Sequence, residues 1–134
     1  MIQGNDIEIM GTRVCEPFTL RMRSDGILHS HIASKPEFDV ESLKRFNSVM
    51  GEMVGQKKVP LLVTLDDFAI PPYETREFWS QKGACPYSIA DAFIAGNIGH
   101  QLIGRLYLKF NKPARPTKIF FNTDDAVTWL RSFV

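Results

Sequence analysis

Apolar and polar residues alternate from Phe18 to Arg23, where Phe18, Leu20 and Met22 interleave with Thr19, Arg21 and Arg23. A period of two predicts a half-buried strand. Ser24-Asp25-Gly26 supplies a turn, and Leu28, Ser30 and Ile32 then alternate with His29 and His31. So short a connection predicts an antiparallel hairpin. After Pro36 the period changes to that of a helix, with Val40, Leu43, Phe46, Met50, Met53 and Val54 at helical spacing. Asp39 is placed to cap this helix, Phe38 and Leu43 to staple its first turn, and Gly55 to end it.

Pro60 opens the unbroken apolar run Leu61–Leu65, which predicts a central parallel strand buried on both faces. A short helix, roughly Glu74–Lys82, follows with Phe78 and Trp79 inward, and Gly83 ends it. Tyr87–Ala95 reads as the next strand, although Ala90, Asp91 and Ala92 are poor strand formers. Asn97 is placed to cap a helix over Ile98–Phe110, with Ile98, Leu102, Leu106 and Phe110 as its apolar stripe. Gly99 and Gly104 cost helix propensity there and point to close backbone packing. Lys118–Phe121 predicts a last strand, and Thr123 a cap for a last helix whose face is Ala126, Trp129, Leu130 and Phe133.

The resulting order, β-β-α-β-α-β-α-β-α, predicts a single-domain α/β protein with a mixed, mostly parallel sheet and right-handed crossovers. Residues 17–134 form that domain. Residues 1–16 are an extension or a short extra strand, since "DIEIM" alternates.

Composition narrows the function classes. At 134 residues, with 16 basic against 15 acidic side chains, the chain has the length of one domain, and its total charge does not steer it to nucleic acid or an anionic membrane. The first ten residues, "MIQGNDIEIM", carry no basic or apolar region of a signal peptide, and no run is long enough to span a bilayer. Cys15 and Cys85 lie in no redox or metal motif, which fits buried thiols in a reducing cytoplasm.

A parallel sheet gathers strand C-termini and helix N-termini on one edge, where ligands bind. That edge holds Asp66, Asp67, Gly96, Asn97, Asn122 and Thr123. Two carboxylates there oppose a phosphate, and adjacent strand residues point to opposite faces, so a paired-carboxylate mechanism does not assemble. Asp66 and Asp67 read either as strand-end caps or as a polar anchor for a cationic or hydrogen-bonding partner. His29 and His31 share a strand face at a spacing that suits a metal, but no third ligand is near. Arg21 and Arg23 on the adjoining strand repel a cation, so no metal site is expected. The four read as a basic, solvent-facing patch. His100 has no nucleophile or orienting group in its local sequence. Phe68, Tyr73, Phe78 and Trp79 form an aromatic cluster that reads as core beneath a short helix or as a lid over an apolar pocket.

The element order, with "LYLKFNKPARPTKIFFNTDDAVTWL" and the hairpin "TLRMRSDGILHSHI", resembles the SpoIIAA-like bacterial branch of the STAS-like family, related to anti-sigma-factor antagonists. Some of its folds are grouped with CRAL-TRIO lipid-transfer domains. The resemblance implies a cytoplasmic regulatory or ligand-binding domain without catalysis of its own, acting on a protein partner or a small apolar ligand; no cofactor is expected, and a homodimer is a candidate assembly. The family's switch members carry an Asp-Ser-Ser-Gly motif after the third strand. Here the segment is "LDDFAIPPYETREF", without a serine, and Tyr73 and Thr75 are its only hydroxyls. A carrier or sensor of a small apolar, lipid-like molecule held under the Phe68–Trp79 segment is an alternative, and an enzyme using Asp66 or Asp67 with His100 as acid and base is a further one.

Overall fold

In the computed structural model, which describes residues 7–134, the hairpin forms as its alternation predicts. Strand β2 (Phe18–Arg23) pairs antiparallel with β3 (Leu28–Ile32), Arg21 opposite His29. A further strand, β1 (Ile9–Cys15), pairs antiparallel with β2 on the outer side. It lies within the expected extension and overlaps the "DIEIM" segment at Ile9 and Met10, while residues 1–6 lie outside the described residues.

Helix α1 (Val40–Val54) starts at Asp39, whose carboxylate accepts from the Ser42 amide, and ends at Gly55 in the left-handed region at φ 64°. There follow β4 (Val59–Leu65), α2 (Tyr73–Ser80), β5 (Ser88–Ile94), α3 (Ile98–Leu106), a π-helical turn (Tyr107–Asn111), β6 (Thr117–Phe120) and α4 (Thr123–Arg131). The cap of α4 is Asn122, whose side-chain oxygen accepts from the Asp125 amide, and Thr123 is already helical. Asn is the better cap of the two, which displaces Thr123 from the role the sequence suggested.

The six strands lie in the order β1-β2-β3-β4-β5-β6. The pairs β3–β4, β4–β5 and β5–β6 are parallel. Those four parallel strands place their C-terminal ends, and the helices that follow them, along one edge.

Alternation along β4 separates two cores. Leu61 and Val63 face α1 and α2, while Leu62 faces α4. On the first face Phe18, Phe38, Phe46 and Trp79 interlock with ring centroids 5.4–6.1 Å apart. On the second, α4 packs Ala126, Val127 and Leu130 onto Ala90 and Ala92. The two alanines that weaken the strand pattern are what let α4 approach the sheet. Helix α4 packs chiefly on β4, β5 and β6 on this side.

Candidate functional site

The C-terminal edge of the parallel strands holds a concavity on the α1–α3 face. Its floor is Leu65, Phe93, Ala95 and Ile119 from the strand ends. Its walls are Trp79 of α2, His100, Ile103 and Gly104 of α3, and the β4–α2 loop at Ala69–Pro71. The concavity spans about 590 Å³ including its open mouth, and about 60 Å³ of that is clear space. One water needs roughly 10–15 Å³, so the clear part takes a slender apolar group, and almost every lining atom is apolar.

Local interactions explain why the walls stand where they do. Gly104 lies so close to β6 that a Cβ on it would be 3.0 Å from Ile119 Cδ1. The His100 ring is buried and bonds through Nε2 to the Ala69 carbonyl at 2.8 Å, tying α3 to the β4–α2 loop. Asn97 caps α3 by accepting from the His100 amide, and its Nδ2 donates to the Asp67 carbonyl at 3.0 Å.

Trp79 is fixed from behind by the fully buried Asp91, to which its indole Nε1 donates at 2.9 Å. The same carboxylate accepts from Arg115 Nε at 2.9 Å and from Ser88 Oγ, and Arg115 Nη2 stands 2.7 Å from it as an ion pair. A carboxylate in the middle of a buried strand has to be paired in this way. Next to this group lies Tyr107, which lines the concavity, and its buried hydroxyl has no hydrogen-bond partner. Burial pushes its ionisation well above the usual phenol range, so it is a neutral donor. Burial likewise pushes the Cys85 thiol up to about 12, which leaves it an inert core group.

A second polar cluster lies on the part of the other face that α4 leaves uncovered. His31 Nε2 is 2.7 Å from Asp66 Oδ1, and Thr64 Oγ1 lies 2.8 Å from His31 Nδ1 and 2.7 Å from His29 Nε2. An ionised Asp66 only accepts, so a neutral His31 carries its proton on Nε2 and accepts from the threonine hydroxyl. That hydroxyl oxygen in turn accepts from His29. Hydrogen bonds from His31 and the Ser34 amide hold Asp66 below the usual carboxylate range. Burial, helped by Arg21, His31 and Arg23, pulls His29 down to about 4. His29 is therefore neutral at pH 7, and Arg23 is clamped by Asp25 at 2.7 Å. The basic patch expected from the sequence is a half-buried, largely paired network. Neither Thr64 nor the two histidines line the concavity.

The residues singled out from sequence separate. Asn97 meets Asp67 at the predicted edge, through the Asp67 backbone carbonyl, whereas the Asp66 carboxylate turns to His31 and the Ser34 amide on the other face. Asn122 and Thr123 start α4 on the opposite face and do not line the concavity. Of the four aromatics only Trp79 lines it. Phe78 packs into the main core, whereas Phe68 is 90% exposed and Tyr73 is exposed on α2. His100 bonds to Ala69 and Asn97 and to no aspartate. Thr75 is fully buried, with its hydroxyl donating to the Phe38 carbonyl, which removes it as an accessible phosphoacceptor. Among the described residues no cluster of three or more metal-ligating side chains occurs, and no helix is long and apolar enough to cross a membrane.

The family described as a domain of unknown function, DUF7793, matches residues 20–134, most of the chain. The chain belongs to this family. No curated protein and no solved structure matches it.

Proposed function

We propose that this DUF7793 domain is a non-catalytic, STAS-like binding module whose ligand is a small, slender apolar molecule with one polar group, held between the β4–α2 loop and α3. The observation that carries this reading is the apolar concavity, whose lining includes Tyr107, a residue with a buried and unpaired hydroxyl. An apolar guest buries surface there at about 25 cal/mol per Å². Its polar group satisfies Tyr107, whose unpaired hydroxyl otherwise costs about 1–3 kcal/mol. Arg76, also in the lining, suits a carboxylate or another acceptor at the mouth. The guest is held by shape and by one or two polar contacts, as in most small-molecule sites.

The protein has two tryptophans, so a Trp129→Phe variant leaves Trp79 as the sole indole reporter. Titration with decanoate is expected to change Trp79 emission saturably at one ligand per chain. Tyr107→Phe is expected to weaken binding about fivefold or more while leaving the melting temperature unchanged or raised, because it removes an unsatisfied hydroxyl. Ala95→Leu, which fills the floor, is expected to abolish the response. No saturable change in Trp79 emission, or one that Ala95→Leu leaves untouched, refutes the reading.

A further inference from the structure

The face of α3 that looks away from the sheet carries the apolar residues, not the polar ones. Ile98 is 83% exposed, Leu102 55%, Leu106 40% and Phe110 68%. They run in one line down the helix and its π-helical extension, about 20 Å at 1.5 Å per residue. Phe68 and the half-exposed Ile70 of the β4–α2 loop extend the line past the mouth of the concavity. The hydrogen bonds from Asn97 and His100 hold this loop against the start of α3.

Charge on this side is segregated, which the near-neutral total hides. From Ala92 to Thr123 there is no aspartate or glutamate, and there are five cations, Arg105, Lys109, Lys112, Arg115 and Lys118. Arg115 is spent on Asp91. Arg105, Lys109 and Lys112 are exposed. Arg105 stands three residues after Leu102 and Lys109 three after Leu106, so both flank the apolar line. The loop that extends it holds two acidic residues, Asp66, whose carboxylate is taken up by His31 and the Ser34 amide, and Asp67, beside Phe68.

We infer that this face docks on the surface of an anionic phospholipid bilayer, with α3 lying flat in the headgroup layer and its Ile, Leu and Phe side chains entering the acyl boundary. An aliphatic line flanked by cations is what such a surface accepts. Phosphates of the lipid answer Arg105, Lys109 and Lys112. A second copy brought face to face on this helix would set the same cations against each other with no carboxylate of the helix to pair them. Docking also points the mouth of the concavity at the bilayer, although vesicle binding does not require the concavity to hold a guest.

The test is flotation of the intact protein with vesicles of phosphatidylcholine alone and of phosphatidylcholine containing about a quarter phosphatidylglycerol. Binding to the anionic vesicles, with little to the neutral ones and release by about 0.5 M salt, is the expected result. Arg105→Glu with Lys109→Glu is expected to reduce it about tenfold or more. Leu102→Ser with Phe110→Ser is expected to do the same while keeping the circular dichroism spectrum. Ala95→Leu is expected to retain vesicle binding, and Leu102→Ser to retain the decanoate response, so the two proposals fail separately. Absence of vesicle binding overturns the inference, as does binding indifferent to lipid charge and salt. A dimer in sedimentation that Leu102→Ser with Phe110→Ser dissociates also overturns it, because the face then belongs to a second copy.

Discussion

Helices α1 and α3 carry similar apolar stripes and place them oppositely. In α1 the side chains of Leu43, Phe46 and Met50 are fully buried. In α3 the line Ile98, Leu102, Leu106 and Phe110 lies outside. Helix α1 sits with α2 over the large core, where broad side chains fill the space between helix and sheet. Helix α3 sits at the sheet edge, pressed onto Ile119 at Gly104 and anchored to Ala69 through His100. Its inward residues are His100, Ile103, Gly104 and Tyr107, which also fit the i, i+3, i+4, i+7 spacing of a buried face. The chain therefore offers two candidate faces for α3. Close approach and two polar anchors select the less apolar one. A stripe predicts burial only where the neighbouring surface leaves room for it.

The sharpest way to break the comparison is one substitution made in both helices. Leu43→Ala in α1 is expected to cost about 2–5 kcal/mol, since it leaves a hole in a fully packed site. Denaturant unfolding with an unchanged m-value reads this directly. A loss below about 1 kcal/mol removes the claim that α1 supplies the tight core.

A smaller effect is expected from the uncovered part of the sheet. His29 is held at about 4 against an ordinary 6.5, so the folded protein resists a proton that the unfolded chain binds. Its contribution is complete above pH 6.5 and is lost as pH falls from 6.5 towards 4. After allowance for solvent screening, the loss across that window is roughly 1–3 kcal/mol. His29→Asn keeps a donor for Thr64 and is expected to flatten the slope of stability between pH 6.5 and 4. Asp25 and Asp66 do not confuse the measurement. Burial pushes Asp25 up, but Arg23 and Arg131 hold it lower overall, and Asp66 is also lowered. Both lose their contribution only as pH falls below the ordinary carboxylate value of 3.8. A slope unchanged in the variant means that His29 titrates freely in the folded protein.

Period and punctuation made the architecture legible. The alternation of β2 and β3, the double-sided run of β4 and the caps at Asp39 and Asn97 all correspond to observed elements. The wall of the concavity was only partly legible. Gly104 in a helix did signal close packing, and the contact with Ile119 is its cause. Gly99 looked alike in sequence, yet a Cβ there would meet only the side chain of Asn97, the cap of the same helix two residues earlier. Ala69, Ile103 and Ile119 carry no local pattern that marks a pocket, because a pocket is made by residues far apart in the chain. Asp91 did give a signal. A carboxylate inside a buried strand needs a cation, but nothing local says that Arg115 supplies it or that Trp79 shares it. The hydroxyl–imidazole chain of Thr64 and His31 depends on the parallel register of β3 against β4, which local sequence does not specify.

The smallest expected effect tests the outward half of the comparison. Leu102→Ala removes the same atoms as Leu43→Ala, but from a side chain that already faces solvent over more than half its surface. Little transfer energy is lost, no cavity forms, and alanine is a slightly better helix former than leucine. The change in stability is therefore expected to fall within about 0.5 kcal/mol of zero, the range of surface positions that make no special contact. Unfolding of the two variants side by side then gives a ratio of effects that depends on helix orientation alone, because chemistry and element type are held constant. A loss above about 1.5 kcal/mol for Leu102→Ala places the stripe in contact with the sheet, with His100 and Tyr107 turned out. That single value removes both the docking face and the wall of the concavity, whereas a null result leaves an apolar line whose only remaining use is to meet something outside the molecule.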